Sequence, residues 1–247
     1  MRTMWLTAIL VLSGLVYSNS QESLSAERIL ARIDDNYQAQ TFFAQTEMTI
    51  HGRRGSRTIK AQSWSRGREK TFTEYLYPPR DKGTKMLKLK DELWMYSPQT
   101  DRIIKIAGHM LKQSVMGSDL SYEDFMESDR LNEDYRAELI GGEPIDGRAC
   151  YILQLTAKRD DVSYASRKIW VDKQRFLALK EERFAKSGKL LKVTEIKEVM
   201  RIDDRWYPKK ILFKDALKTG KGTVFVIDTI EFNIDVPDYK FTKAALR

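Results

Sequence analysis

One cysteine and two histidines in 247 residues leave little room for redox, disulfide or zinc chemistry. Cys150 has no second cysteine to close an internal disulfide with. In Ala149-Cys150-Tyr151-Ile152-Leu153 it reads as a small buried strand residue rather than a reactive thiol. His51 and His109 stand in unrelated contexts with no carboxylate at ligand spacing, so no metal is expected. The Gly-x-Ser-x-Gly elbow, the P-loop and Gly-x-Gly-x-x-Gly are absent, which removes the usual hydrolase and nucleotide motifs. Carboxylate pairs do occur at Asp34-Asp35, Asp91-Glu92, Asp160-Asp161 and Asp203-Asp204. Each falls in an expected turn or on a helix's polar side, where solvated acids belong. A glycosidase pair needs no sequence adjacency and stays open. Nothing singles out a catalytic residue or a cofactor, and a non-enzyme is expected. After the first twenty residues, no run approaches the ~20 apolar residues of a spanning helix.

What is present begins with a leader. Met1-Arg2-Thr3-Met4-Trp5 precedes an apolar run from Leu6 to Val16, and Ser18 and Ser20 form a small-x-small exit. This is the pattern of a secretory signal peptide, expected over residues 1–20, with one domain over residues 21–247. An uncleaved anchor is the alternative, but the run is short for one. No cysteine lies near the cut, which excludes a lipid-anchored mature N-terminus. A periplasmic, soluble monomer is expected. The formal charge is +8, or +7 once the leader takes Arg2 away, and it favours anionic partners such as membrane surfaces. The cations are spread without a Lys/Arg block, and export argues against nucleic acid.

The hydrophobic pattern then predicts an amphipathic helix over Ala26 to Tyr37, capped by Ser25, with Ile29, Leu30, Ile33 and Tyr37 on one side. From Phe42 onward the period becomes two. Short strands separated by Gly, Asp and Pro turns run to Phe232, about eleven in all, with two or three short helices. There is no βαβ alternation, so one antiparallel, mainly β domain is expected. The segment from Leu111 to Met126 interrupts the strands, and Ser121 with Asp124 reads as a helix cap. In the hairpin Leu93 to Ile106, Trp94 and Tyr96 share one face and Leu93 and Met95 the other. Both faces are apolar, so the second needs a cover: a helix, another sheet or an apolar ligand. A sheet closing partly on itself with helices across its mouth would leave an apolar hollow. A filled barrel core fits the same pattern, and the sequence does not decide between them.

Leu93-Trp94-Met95-Tyr96-Ser97-Pro98, preceded by Gly83-x-x-Met86-Leu87, resembles the outer-membrane lipoprotein-sorting proteins of the LolA-like family. The loop Gly117-Ser118-Asp119-x-Ser121-Tyr122-Glu123-Asp124 is similar to a less characterised branch of it. The resemblance implies a half-open antiparallel β-barrel lidded by short helices. It also implies a carrier that receives acyl chains of a lipoprotein, or a free lipid, from an inner-membrane transporter and passes them to an outer-membrane acceptor. The carriers' arginine four residues before a phenylalanine corresponds to Arg68 and Phe72, with Arg66 as a competing candidate and Glu69 where the carriers have proline. Ligand contacts are expected at Arg68, Phe72, Leu87, Trp94 and Tyr96, with Met110, Met116 and Met126 in a lid whose flexible side chains repack easily. The alternative function is an envelope accessory or sensor module docking on a membrane transporter.

Overall fold

The computed structural model describes residues 24–37, 39–52, 55–126 and 131–247. The expected leader and the turn residues Arg53 and Arg54 lie outside the described residues.

Helix α1 (Ala26–Tyr37) occupies the predicted range. The Arg28 backbone N–H donates to Ser25 Oγ at 3.3 Å, a cap on the first turn. Ile29, Leu30 and Ile33 are buried against Leu153, Leu155, Ile169 and Val171. Fourteen strands follow among the described residues: β1 (Thr41–Gly52), β2 (Gly55–Arg66), β3 (Lys70–Tyr77), β4 (Lys85–Leu89), β5 (Glu92–Ser97), β6 (Arg102–Ile106), β7 (Tyr135–Gly141), β8 (Pro144–Ile145), β9 (Arg148–Ala157), β10 (Ser166–Asp172), β11 (Ala178–Phe184), β12 (Leu190–Ile202), β13 (Arg205–Asp215) and β14 (Gly222–Phe232). The count exceeds the expected eleven; β8, for one, has two residues, too few to show a period.

The strands form one antiparallel sheet in the order β6-β5-β4-β3-β2-β1-β14-β13-β12-β11-β10-β9-β7, with β8 beside β9. Local hairpins build most of it, and one long-range pairing, β1 with β14, joins the two halves. β6 and β7 stay at the ends, so the sheet does not close. The architecture is the expected half-open antiparallel barrel. Between β6 and β7 the chain crosses the inner face as two 3₁₀ turns (Gly108–Lys112 and Val115–Gly117), α2 (Tyr122–Met126) and α3 (Leu131–Asp134).

The two faces of the opening hairpin find different covers. Leu93 and Met95 turn inward and pack with Val115, Leu120 and Tyr122 of the crossing segment. Trp94 and Tyr96 turn outward with Trp64, Phe72 and Leu87, under Val236, Phe241 and Leu246 of the C-terminal segment. Two lysines of that segment lie over the outer rings, Lys240 3.3 Å from the Trp64 centroid and Lys243 3.6 Å from that of Trp94. Arg66 donates to the Asp238 carboxylate and the Val236 carbonyl, which pins the segment at its start. Leu246 is fully buried. Its replacement by alanine is expected to cost about 3 kcal/mol, or ~8 °C of melting temperature by calorimetry. A shift below ~2 °C would mean that the segment is not a packed cover.

Alternation breaks once where it matters. A bulge between Gln45 and Thr46 shifts the β1–β14 register. As a result Phe225 and Ile227 share a cavity wall with Ile230, whereas uninterrupted alternation would have faced Val224 and Val226 that way.

Candidate functional site

The inner face holds a cavity of about 270 Å³. Its wall comes from alternate residues of neighbouring strands, as the pleat requires. β1 supplies Phe42, Ala44 and Met48; β2 supplies Ile59 and Ala61; β3 and β4 supply Tyr75 and Met86. Phe225, Ile227 and Ile230 of β14 close the far side, and Phe125 of α2 hangs over it. Ser63, Ser65, Thr71 and Thr73 complete the β2–β3 wall. Their hydroxyls pair across the strands, Ser63 with Thr73 at 2.8 Å and Ser65 with Thr71 at 3.0 Å. Paired hydroxyls carry no unmet desolvation cost and fill little space. The Tyr75 hydroxyl donates to Met86 Sδ at 3.2 Å, and burial pushes that phenol's pKa up. The cavity opens into a mouth of about 780 Å³ bordered by Gln40, Arg68, Lys88, Arg205, Tyr207 and Asn233. Phe42, Ser65, Thr71, Lys88, Phe125 and Tyr207 belong to both, so the two spaces are continuous. Together they reach the ~300–1,000 Å³ range of small-molecule sites.

The crossing segment is fastened as a lid by the acids of the Gly-Ser-Asp-x-Ser-Tyr-Glu-Asp loop. Asp119 accepts from the Thr223 hydroxyl at 2.6 Å and from the Asp215 backbone N–H at 3.0 Å. Asp124 does what a capping residue does, accepting from the Ser121 backbone N–H at 2.7 Å and its hydroxyl at 2.8 Å. It also accepts from the Tyr164 hydroxyl at 2.6 Å and from Arg183 at 2.9 Å. Arg183 continues to Glu181 at 2.9 Å, which Arg167 meets at 2.8 Å. Lys192 donates to the Asp119 carbonyl at 2.7 Å and to Asp215 at 2.9 Å. The lid is therefore held to the β10–β14 half through charge-assisted bonds.

Burial opposes the charged form of Glu181, yet Arg183 and Arg167 outweigh it and pull the carboxyl from 4.5 down to about 2. Asp124 shifts the same way: burial raises it, and Arg183 with the Ser121 and Tyr164 hydrogen bonds lowers it further. A folded-state value below the unfolded one gives stability that is complete above about pH 4.5 and lost as pH falls toward 2. For Glu181 the amount is on the order of 3 kcal/mol. The melting temperature is expected to hold from pH 7 to 5 and drop below 4.5, with a shallower drop in Glu181→Gln. Equal slopes in both proteins would remove Glu181 from the network's pH dependence.

The residues singled out in the sequence are distributed over three places. Arg68 stands at the mouth, 3.9 Å from the Asp34 carboxylate. Met110, Met116 and Met126 pack half-buried against the inner cluster, as part of the lid but not of the cavity wall. Phe72, Leu87, Trp94 and Tyr96 lie on the opposite face under the C-terminal segment. They are corrected from cavity contacts to outer-face packing, and alternation is the reason. Thr71 and Thr73 point inward, so Phe72 between them points out, and Leu87 and Trp94 pair with it across the sheet. Arg68 lies in the turn between β2 and β3, outside the alternation of β3, and so does not share a wall with Phe72, and Arg66 faces the C-terminal segment. The sequence reading missed Ala44, Ala61, Tyr75, Phe125 and Phe225. Small and hydroxyl residues at period two, Ala61, Ser63 and Ser65 against Thr71 and Thr73, were the available sign of a wall with space in front of it.

A family model described as "-like: Uncharacterized protein" matches residues 67–247. No curated protein matches the chain. Among solved structures, a DUF1329 family protein from Desulfovibrio piger is 25% identical with a TM-score of 0.82, over 90% of this chain and 98% of its own. A LolA superfamily protein from Nitrosomonas europaea is 25% identical with a TM-score of 0.75, over 90% and 100%. A domain from Vibrio parahaemolyticus assigned to outer-membrane lipoprotein sorting has the same fold, with a TM-score of 0.78 at 23% identity over 90% and 97%. The chain belongs to the family of that model and shares its fold with the LolA superfamily protein.

Proposed function

We propose that the protein is a periplasmic carrier that shelters an acyl chain, of a lipoprotein or a lipid, in the inner cavity during transfer between the membranes. The observation that carries this reading is a largely apolar hollow beneath a lid, in a sheet whose strands could have filled it with larger side chains. Burying hydrocarbon there is worth ~0.8 kcal/mol per CH₂ removed from water. A carrier must also release, and the lid, besides its apolar packing on Leu93 and Met95, is fastened by polar bonds that a partner can compete for. An inner-membrane transporter as donor and an outer-membrane acceptor complete the cycle, and the N-terminal leader delivers the chain to that compartment. No reaction is assigned to the site.

Native mass spectrometry on protein purified from the periplasm tests the reading. A co-purifying acyl-bearing molecule, lost on mild denaturation, is expected. A bare chain, unable to take up a lipid offered afterwards, would contradict it.

A further inference from the structure

The two ends of the barrel differ in charge. The mouth lies at the end where Gly67 and Arg68 turn β2 into β3 and where Arg205 begins β13. The turns of that end, residues 67–69, 90–91, 173–177 and 203–204, carry as many acids as cations. The hairpins at the opposite end do not balance. Residues 78–84, 185–189 and 216–221 bring Arg80, Lys82, Lys186, Lys189, Lys218 and Lys221, all exposed, against one acid, Asp81. The other described turns of this end, 98–101 and 158–165, add Lys158 and Arg159 against Asp101, Asp160 and Asp161. Contacts to the lid join the hairpins into one surface. Arg57 of β2 lies 4.0 Å from the Asp81 carboxylate and donates to the Met116 carbonyl. Lys218 donates to Ser114 Oγ at 2.6 Å and to the Ser118 carbonyl at 2.5 Å. Lys186 meets Asp160 at 2.8 Å in an exposed pair that solvent screens. Leu217, beside Lys218 at the hairpin tip, is 59% exposed, and Tyr77 at the end of β3 is 45% exposed.

We propose that the end opposite the mouth docks the protein on an anionic membrane surface. The lysines and Arg80 lie among the headgroup phosphates, and Leu217 reaches the boundary with the acyl region. Cations spread over three hairpins match an extended negative surface, whose potential attracts each of them separately. A small soluble anion would need donors that converge on one point. An apolar tip flanked by lysines is the arrangement by which a protein lies in a membrane interface, the charges outside and the side chain between them inside. In this pose the mouth faces away from the lipid and stays open to a partner. The inference does not depend on what the cavity holds.

The test is flotation of protein purified from the periplasm with vesicles of phosphatidylcholine, alone or mixed in equal parts with phosphatidylglycerol, at low salt. Binding is expected to the mixed vesicles only, and should weaken as salt is added. Lys189→Gln and Lys221→Gln should each weaken it about fivefold, and Leu217→Ser by a similar factor. Lys90→Gln and Lys173→Gln, at the mouth end, should leave it unchanged. All five side chains are exposed, and unchanged melting temperatures establish that the variants are folded. Equal binding to neutral vesicles, an equal loss in the mouth-end variants, or no loss in the Lys189, Lys221 or Leu217 variants would overturn the inference and leave the carrier reading standing. Poly-glutamate binding as tightly as the mixed vesicles would overturn it in favour of an acidic protein. No binding to either vesicle would overturn it outright.

Discussion

Asp124→Asn is expected to lower the melting temperature by roughly 10 °C at neutral pH. The side chain is 4% exposed and accepts from Ser121, Tyr164 and Arg183, with Lys192 4.0 Å away. Removing one member of a buried charge network costs about 3 kcal/mol, because the remaining charges stay desolvated. In a domain of this size each kcal/mol is worth ~2–4 °C. The variant should also expose the lid, which faster amide exchange at Val115 and Leu120 would register. A melting temperature within ~2 °C of the parent, with unchanged exchange, would reduce Asp124 to a helix cap and nothing more.

Ala61→Phe is expected to weaken binding of a single-chain lipid about 100-fold with little change in stability. Ala61 lines the cavity beyond the hydroxyl pairs, opposite Tyr75. A benzyl group there takes the place of three or four methylenes at ~0.8 kcal/mol each, close to 3 kcal/mol of lost burial. In a filled core the same substitution would instead overpack and cost 1–3 kcal/mol of stability. The two outcomes separate an empty cavity from a solid one. Loss of stability with binding unchanged would count against the hollow.

How much of this was legible in the sequence depended on whether one residue pattern had one cover. α1 was readable to the residue because Ser25, Ile29, Leu30 and Ile33 satisfy a single helical period, and the segment packs as that period demands. The hairpin at Trp94 was readable as a hairpin, but not as to which face looks inward. Both faces are apolar, and their covers come from far along the chain, the lid on one side and residues 234–247 on the other. The C-terminal cover is built of 3₁₀ turns, Asp238–Phe241 and Lys243–Leu246, which carry no long period to recognise. The Arg68–Phe72 spacing misled because Arg68 lies in the turn before β3, where strand alternation does not hold residues four apart on one face. Asp124 was visible as a cap, since Ser121 lies three residues before it. Its bonds to Tyr164 and Arg183 span 40 and 59 residues and exist only once the sheet has curled.

The central claim is that a hydrocarbon chain lies against the inner face. Photo-crosslinking with a diazirine-bearing fatty acid, mapped by peptide mass spectrometry, reads this directly. Adducts are expected on peptides carrying Tyr75, Met86, Phe125 and Phe225, and should disappear in Ala61→Phe. Adducts confined to the outer-face residues Trp64 and Trp94, or none at all under saturating lipid, would contradict the account.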